Sequence, residues 1–510
     1  MKKFLVVAFF VSLFAVFGFA ENYGGDFVYA MGADAVTLLP ANMSDNPSEA
    51  VCRHIFDGLV EFAEDMEIVP ALAKSWEISE DGTVYTFHLQ QGVKFHDGAA
   101  FNAQAVKTYF DWIVASNVKR TSLYEPYIKQ INVVDENTVE FVLHFSFGGF
   151  TSTLAHGAGL IVSPAMIAKY GDDVGELGKH PSGTGPFALE VWKRAEVIQV
   201  RANEDYWKGR PYLDSIEFRV IPEDITRVIQ VQSGDADLTM RVPPIMKRRL
   251  EGDKNLTLRN DPSLRVIYLG FNMRKAPLDN VLVRQAFNYA IDKEKLCSVI
   301  MRGLATPSDS PLSPNTWGYA PTGGYPYDPA KARELLKQAG YDELDIVLST
   351  PRGRYLQDYE TIIAVQAMLA DSNINADVQP MEWGEYINFL FTEPENSNYE
   401  VFLLGWAPST GDADWVLRPL FSSDNLPPSG DNNTFYNNPK VDELIQAGMR
   451  ESDPEARHAI YAEAQQIIVE DAGWAFLYNL NQLVVFNNKV QGVEVLPIEI
   501  VLVKNAWFEN

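Results

Sequence analysis

Between residues 76 and 101 apolar and polar positions alternate, as in Thr83-Val84-Tyr85-Thr86-Phe87-His88-Leu89, and Asp81-Gly82, Gln91-Gly92 and Asp97-Gly98 interrupt the alternation. A period of two broken by such pairs predicts half-buried strands joined by tight turns. Residues 136–145 repeat the pattern. Between the two stretches, Val106, Phe110 and Ile113 share one face of a helix predicted over 103–114. A second β-rich block covers 185–220, with strands over 197–200 and 216–220 and a turn at 205–211.

From Arg265 the pattern changes. Residues 266–272 form an apolar strand, and helix signals then dominate. Asp279 is placed to cap a helix whose Val283, Ala286, Phe287, Ala290 and Ile291 line one face. Asp328-Pro329 and Asp453-Pro454 each put a capping carboxylate before a proline suited to the first helical position, and Gly340 supplies a stop for the first of these helices. Strands expected over 345–349, 376–379 and 400–404 alternate with them, which predicts an α/β half. The chain ends in strands over 483–486 and 493–503, in the style of its first half. It is therefore expected to cross into a second lobe near Leu264 and to return near Phe486, two crossings that make a hinge. The resulting organisation is a leader at 1–20, a first lobe of 21–263 and 487–510 containing a β-rich subdomain at about 66–182, and a second lobe of 264–486.

The leader rests on Lys2 and Lys3, an uncharged apolar stretch over 4–17, and Gly18-Phe19-Ala20 before Glu21, the layout of a secretory signal peptide cleaved after Ala20. A membrane anchor is the rival reading, but the apolar stretch is short for a span and lacks a basic stop-transfer flank. No cysteine stands directly after the cleavage site, which favours a free periplasmic protein over a lipid-anchored one. The 510 residues carry 68 acids against 42 lysines and arginines, a formal charge of −26. Such a balance argues against nucleic acid or anionic lipid as partner. Cys52 and Cys297 are read as two buried free thiols rather than a disulfide, because a bridge would tie one lobe to the other.

Several passages, in order along nearly the whole chain, resemble the extracytoplasmic solute-binding proteins of peptide and nickel ABC importers (family 5). They are Leu72-Ala73-Lys74-Ser75-Trp76-Glu77, Gly92-Val93-Lys94-Phe95-His96-Asp97-Gly98, Gly183-Thr184-Gly185-Pro186-Phe187, Gly234-Asp235-Ala236-Asp237 and Val283-Arg284-Gln285-Ala286-Phe287. The run from Gly405 to Trp415, continuing through Leu420, with Pro427-Pro428 and the stretch 433–437, is similar to the glutathione-binding branch. The resemblance implies an α/β, two-lobed periplasmic binding protein (type II, cluster C) with an extra β-rich subdomain in the first lobe. It implies a monomer that closes on glutathione or a short peptide and hands it to ABC permease subunits, without a cofactor, a metal or catalysis.

A short peptide presents a carboxylate, amides and an ammonium, so its binder needs a cation, strand-like backbone and an anion. By the resemblance, backbone pairing comes from Asp34, Ala35 and Val36 on the first lobe and from Gly405, Trp406 and Ala407 on the second. Arg352 matches the arginine that dipeptide binders use for the ligand carboxylate, with Arg354 as the alternative. Dipeptide binders hold the ammonium with an aspartate where this chain has Ser409, so Asp412 or Asp414 is expected to take that role, unless Asp412 only caps a helix. Trp406 and Trp415 are expected to wall the pocket, and Thr184 to face the cleft or merely serve its turn. Closure is expected to rest on ligand contacts, with little direct attraction between the lobes. A haem or nickel-chelate binder of the same fold is the runner-up. An exported hydrolase is less favoured, since neither a nucleophile elbow nor a paired-histidine metal motif occurs and the seven histidines are scattered.

Overall fold

The computed structural model describes residues 23–509; the expected leader and its cleavage site lie outside the described residues. A mixed eleven-stranded sheet runs through the molecule. At one end lie Ile374–Met381, Leu344–Pro351 and Val401–Trp406, and at the other Asp26–Met31, Ser215–Val220, Val197–Ala202 and Phe187–Lys193. Two long antiparallel strands, Leu256–Phe271 and Trp474–Asn487, join the two ends.

Side-chain alternation on the first long strand divides the second-lobe core. Ile267, Leu269 and Phe271 point into a cluster with Phe287, Leu348 and Val365, while Tyr268 points into another with Tyr386, Leu417 and Trp474. A strand buried on both faces is the mark of a sheet covered by helices on either side, as the α/β pattern predicts. Tyr268 stacks on Trp474 with ring centroids 3.5 Å apart. Asp328 and Asp453 cap their helices as expected, each accepting a backbone N–H at 2.9 Å. Asn280, not Asp279, caps the helix Val281–Ala290.

The first lobe has its own core, built on Phe27, Tyr29, Phe187, Ile216 and Phe218. Its β-rich subdomain is a four-stranded antiparallel sheet of Ala73–Ile78, Val84–Leu89, Thr138–Leu143 and Ile128–Asp135. The helix Ala103–Ala115 covers it, with Phe110 and Phe141 edge to face at 5.1 Å. Cys52 is a buried free thiol in this core, and Cys297 is one in a second-lobe core.

The pairing of the two long strands breaks between Pro262 and Val266, opposite Asn479–Asn481. On one side of the break the strands belong to the second-lobe cores. On the other, Leu483 and Val485 pack with Ala30, and Val484 and Phe486 join the first-lobe core. The strand passes from one core to the other at residues 480–482, ahead of Phe486, and its residues 484–486 pair with Leu238–Met240. The C-terminal segment braces the break: Leu264 N–H donates to Pro497 O at 2.9 Å and Gln482 Nε2 to Leu496 O at 2.8 Å. Among the described residues no helix is long and apolar enough to cross a membrane.

Candidate functional site

The strand Val401–Trp406 pairs along its whole length with the long strand, up to Trp406 opposite Val266. Its other edge meets Leu344–Pro351 only at Val401 and Phe402, so its last residues leave the sheet on one side only. This strand end delivers Gly405, Trp406 and Ala407, followed by Pro408 and Ser409, to one wall of a cavity of about 340 Å³. Gly405 leaves room there, since a Cβ at that position would stand 2.5 Å from Ile267 Cδ1 and 3.0 Å from the Tyr355 ring. Tyr355 uses the space to donate its hydroxyl to Gly405 O at 3.2 Å. The opposite wall is first-lobe: Met43 to Asn46, Glu49 and Arg120. Trp383, Ile387 and Phe391, four residues apart along one helix face, complete the enclosure.

Arg354 enters this cavity and Arg352 does not. The carboxylate of Asp358 gathers the backbone N–H groups of Gly353, Arg354 and Tyr355 at 2.8–3.0 Å and so fixes the loop. The Arg354 guanidinium then lies 4.9 Å from the Trp383 ring and 5.0 Å from the Tyr355 ring. Its side chain makes no hydrogen bond or ion pair among the described residues. Burial, with repulsion from Arg265 and Arg241, lowers its pKa below the usual arginine value. Arg352 leans the other way, over Tyr359 at 4.8 Å, in an exposed position. Of the two arginines weighed from sequence, the alternative lines the cavity.

Asp412 and Asp414 are unsuited to receive an ammonium. Arg457 grips Asp412 through two bonds of 2.7 Å, with both side chains 3 % exposed, and Ser152 Oγ donates to the same carboxylate at 3.3 Å. Asp412 also accepts the backbone N–H of Asp414 at 2.8 Å at the start of the helix Asp414–Phe421, the capping role weighed for it. Asp414 is taken by Arg418 at 2.7 Å. Ser409 lines the cavity, whose carboxylates instead belong to Asp45 and Glu49. Glu49 pairs with Arg53 at 2.7 Å. Burial would raise the Glu49 pKa, but Arg53, His156 and Arg120 outweigh it and hold it low.

Asp34, Ala35 and Val36 also lie away from the cavity. Asp34 accepts Trp192 Nε1 and Ala195 N–H at 3.0 Å each, and the Ala35 carbonyl accepts Arg194 at 2.8 Å. Thr184 is 1 % exposed and donates to Asp57 at 2.9 Å, beside Trp207 Nε1 on the same carboxylate. These residues secure turns of the first lobe. Trp406 and Trp415 both line the cavity, but the Trp406 indole N–H is occupied by Trp415 O at 2.8 Å.

Sequence reasoning missed the buried pair Arg265–Glu499, joined through bonds of 2.7 and 3.1 Å at the strand crossing. Burial raises a carboxyl pKa, yet Arg265, Arg241 and Arg354 hold Glu499 below its usual range. The partners are 234 residues apart, beyond any local pattern. Trp383, Ile387 and Phe391 were accessible as a four-residue apolar spacing. The lobes also touch directly, contrary to expectation: Gly148 N–H donates to Met449 O at 2.9 Å, and Trp415 and Ala407 pack on the first-lobe core.

The model of the bacterial extracellular solute-binding proteins, family 5, matches residues 67–427. The chain belongs to that family. It is 37 % identical over 481 residues to the glutathione-binding protein GsiB of Salmonella typhi, covering 92 % of each chain. Among solved structures it is similar to the periplasmic binding protein DppA of Helicobacter pylori in complex with the peptide STSA, at 30 % identity and a TM-score of 0.78, covering 96 % of this chain and 99 % of that one. HbpA2 of Haemophilus parasuis superimposes with a TM-score of 0.85 at 26 % identity, covering 95 % and 100 %. The family 5 fold accounts for the two lobes and the added subdomain. Among the described residues of this member, no group of three or more His, Cys, Asp or Glu side chains is placed to hold a metal ion.

Proposed function

We propose that this family 5 protein is the substrate-binding component of an ABC importer, exported by its leader, cleaved after Ala20 and free in the periplasm as a monomer. It captures glutathione, or a short peptide of similar charge, between its lobes and delivers it to the permease without chemical change. The supporting observation is the unpaired Arg354 in a cavity that also holds the carboxylates of Asp45 and Glu49 on the facing lobe. In this reading Arg354 receives a ligand carboxylate, the strand end at Trp406 and Ala407 meets its backbone, and Asp45 receives its ammonium. Asp45 suits that role because its partners are one neighbouring serine's N–H and hydroxyl, which leave acceptor capacity. The similarity to GsiB favours glutathione within the peptide class.

Isothermal titration calorimetry of residues 21–510 tests the reading. Glutathione or a tri- or tetrapeptide is expected to bind one to one with a negative heat-capacity change from apolar burial. The absence of saturable binding for all of them refutes it, and turnover of any of them refutes the binding-only part.

A further inference from the structure

The Arg265–Glu499 pair borders further cavities next to the one that Arg354 lines. Arg265, Arg354 and Tyr355 also line a second cavity of about 340 Å³, which shares Asp224, Met240, Arg241 and Glu499 with a third of about 250 Å³. Together the second and third form a rear chamber beside the strand crossing. Four arginines, 227, 241, 265 and 354, face two carboxylates there, in a chain whose formal charge is −26. Both carboxylates are committed, Asp224 to Arg227 and Glu499 to Arg265. Arg354 and Arg241 are left over, and Arg241 makes no hydrogen bond or ion pair among the described residues.

Arg241 is an exposed cation, but its backbone is unusual. It follows the strand Leu238–Met240 with φ of 57°, and Glu499 across the chamber has φ of 64°. Both are left-handed conformations that cost a side-chain-bearing residue about 1–3 kcal/mol and gather at binding sites. A second observation is independent of charge. Gln482, 7 % exposed, lines the chamber, and its carbonyl Oε1 is buried without a hydrogen-bond partner, as is Oδ1 of the adjacent Asn481. A buried acceptor left unpaired costs about 1–3 kcal/mol, so a donor belongs there. A chamber lined by a guanidinium and by an unanswered carbonyl suits a carboxylate carried near an amide N–H. A bare anion would answer only the arginine.

We propose that the rear chamber is a second subsite, in which Arg241 receives a carboxylate of the ligand and the Gln482 carbonyl accepts the neighbouring amide N–H, so that this protein selects peptide-like ligands with two separated carboxylates. The proposal rests on the peptide-binding function above. It deepens that function by assigning the second charge.

Calorimetry with glutathione and its two monoamides, one at each carboxylate, tests it on residues 21–510. Glycine is unstrained at positive φ, so Arg241→Gly removes the guanidinium while keeping the backbone. The wild type is expected to bind glutathione at least tenfold tighter than one of the amides, and Arg241→Gly to bind those two alike. Equal binding of glutathione and both amides by the wild type, or full discrimination kept by Arg241→Gly, overturns the subsite and leaves the function standing. If glutathione does not bind, Gly-Ala-Glu and Gly-Ala-Gln replace it. Discrimination between these that Arg241→Gly abolishes supports the chamber and removes glutathione as ligand. Discrimination that is absent, or that the variant keeps, overturns the chamber, and no binding of either peptide overturns both readings.

Discussion

Two buried arginine–carboxylate pairs mark two different kinds of contact between the lobes. Arg457–Asp412 is closed: two parallel bonds, Ser152 from the other lobe, and a further bond from Arg457 to Gly448 O leave nothing for a ligand. Arg265–Glu499 is equally well bonded, yet Arg241 and Arg354 stand beside it with no partner. Charge balance within a cluster, rather than burial or the presence of an ion pair, separates the architectural contact from the receptive one. Here uncompensated arginines stand beside the cavities, while Arg457, away from them, is fully neutralised.

Breaking the closed pair gives the largest effect. Arg457→Leu leaves the Asp412 charge buried with only the Ser152 hydroxyl and the Asp414 N–H, and urea denaturation is expected to register a loss of about 3–5 kcal/mol. A loss under about 1 kcal/mol would mean that water reaches Asp412 and that the pair is not closed.

A sharper contrast is with groups kept neutral in the first lobe. His54 Nδ1 lies 2.7 Å from Ala50 O and its Nε2 accepts Val503 N–H at 3.0 Å, an arrangement only the neutral ring satisfies. Burial lowers its pKa to about 4, and that of His156 to about 3. The unfolded chain takes up these protons below about pH 6.5 and the folded chain does not. Stability is therefore full above that pH and falls as the pH drops towards 4, by about 3 kcal/mol for His54 alone. Urea midpoints at pH 7, 6 and 5 check this, since the low-pKa carboxylates Glu49, Glu61 and Glu499 contribute only at lower pH. Midpoints unchanged down to pH 5 would contradict it.

The smallest effects discriminate most finely. Arg354→Ala is expected to weaken glutathione binding tenfold or more, about 1.4 kcal/mol, with the melting temperature of the free protein little moved because the guanidinium makes only ring contacts and no hydrogen bond or ion pair among the described residues. Arg352→Ala is expected to stay within twofold. Calorimetry that reversed the two would return Arg352 to the site.

Much of this was legible in the chain. The alternation over 83–89 and the carboxylate–proline pairs at 328 and 453 are local signals, and the elements formed where they pointed. The strand end at Gly405 was legible through family motifs. The ion pairs were not, since Asp412 meets Arg457 across 45 residues and Arg265 meets Glu499 across 234. A periodic pattern tells which face is buried but not which distant charge waits there. Asp412 looks free in sequence because Arg457 is distant, whereas the partner of Asp414, Arg418, lies one helical turn away. Asp34 and Thr184 failed for a related reason: a polar residue in a conserved-looking turn reads the same whether it faces a ligand or a tryptophan indole.

In the closure between lobes proposed above, the break between Pro262 and Val266 is the fulcrum. If one lobe pivots about it, displacement grows with distance, so the contact between Gly148 and Met449 parts widely while Arg265, Asn481 and Gln482 scarcely move. A guest entering such a wedge passes the tip first and reaches the narrow end last. Whatever sits against Arg241 is then the deepest part of the cargo, and the last to leave.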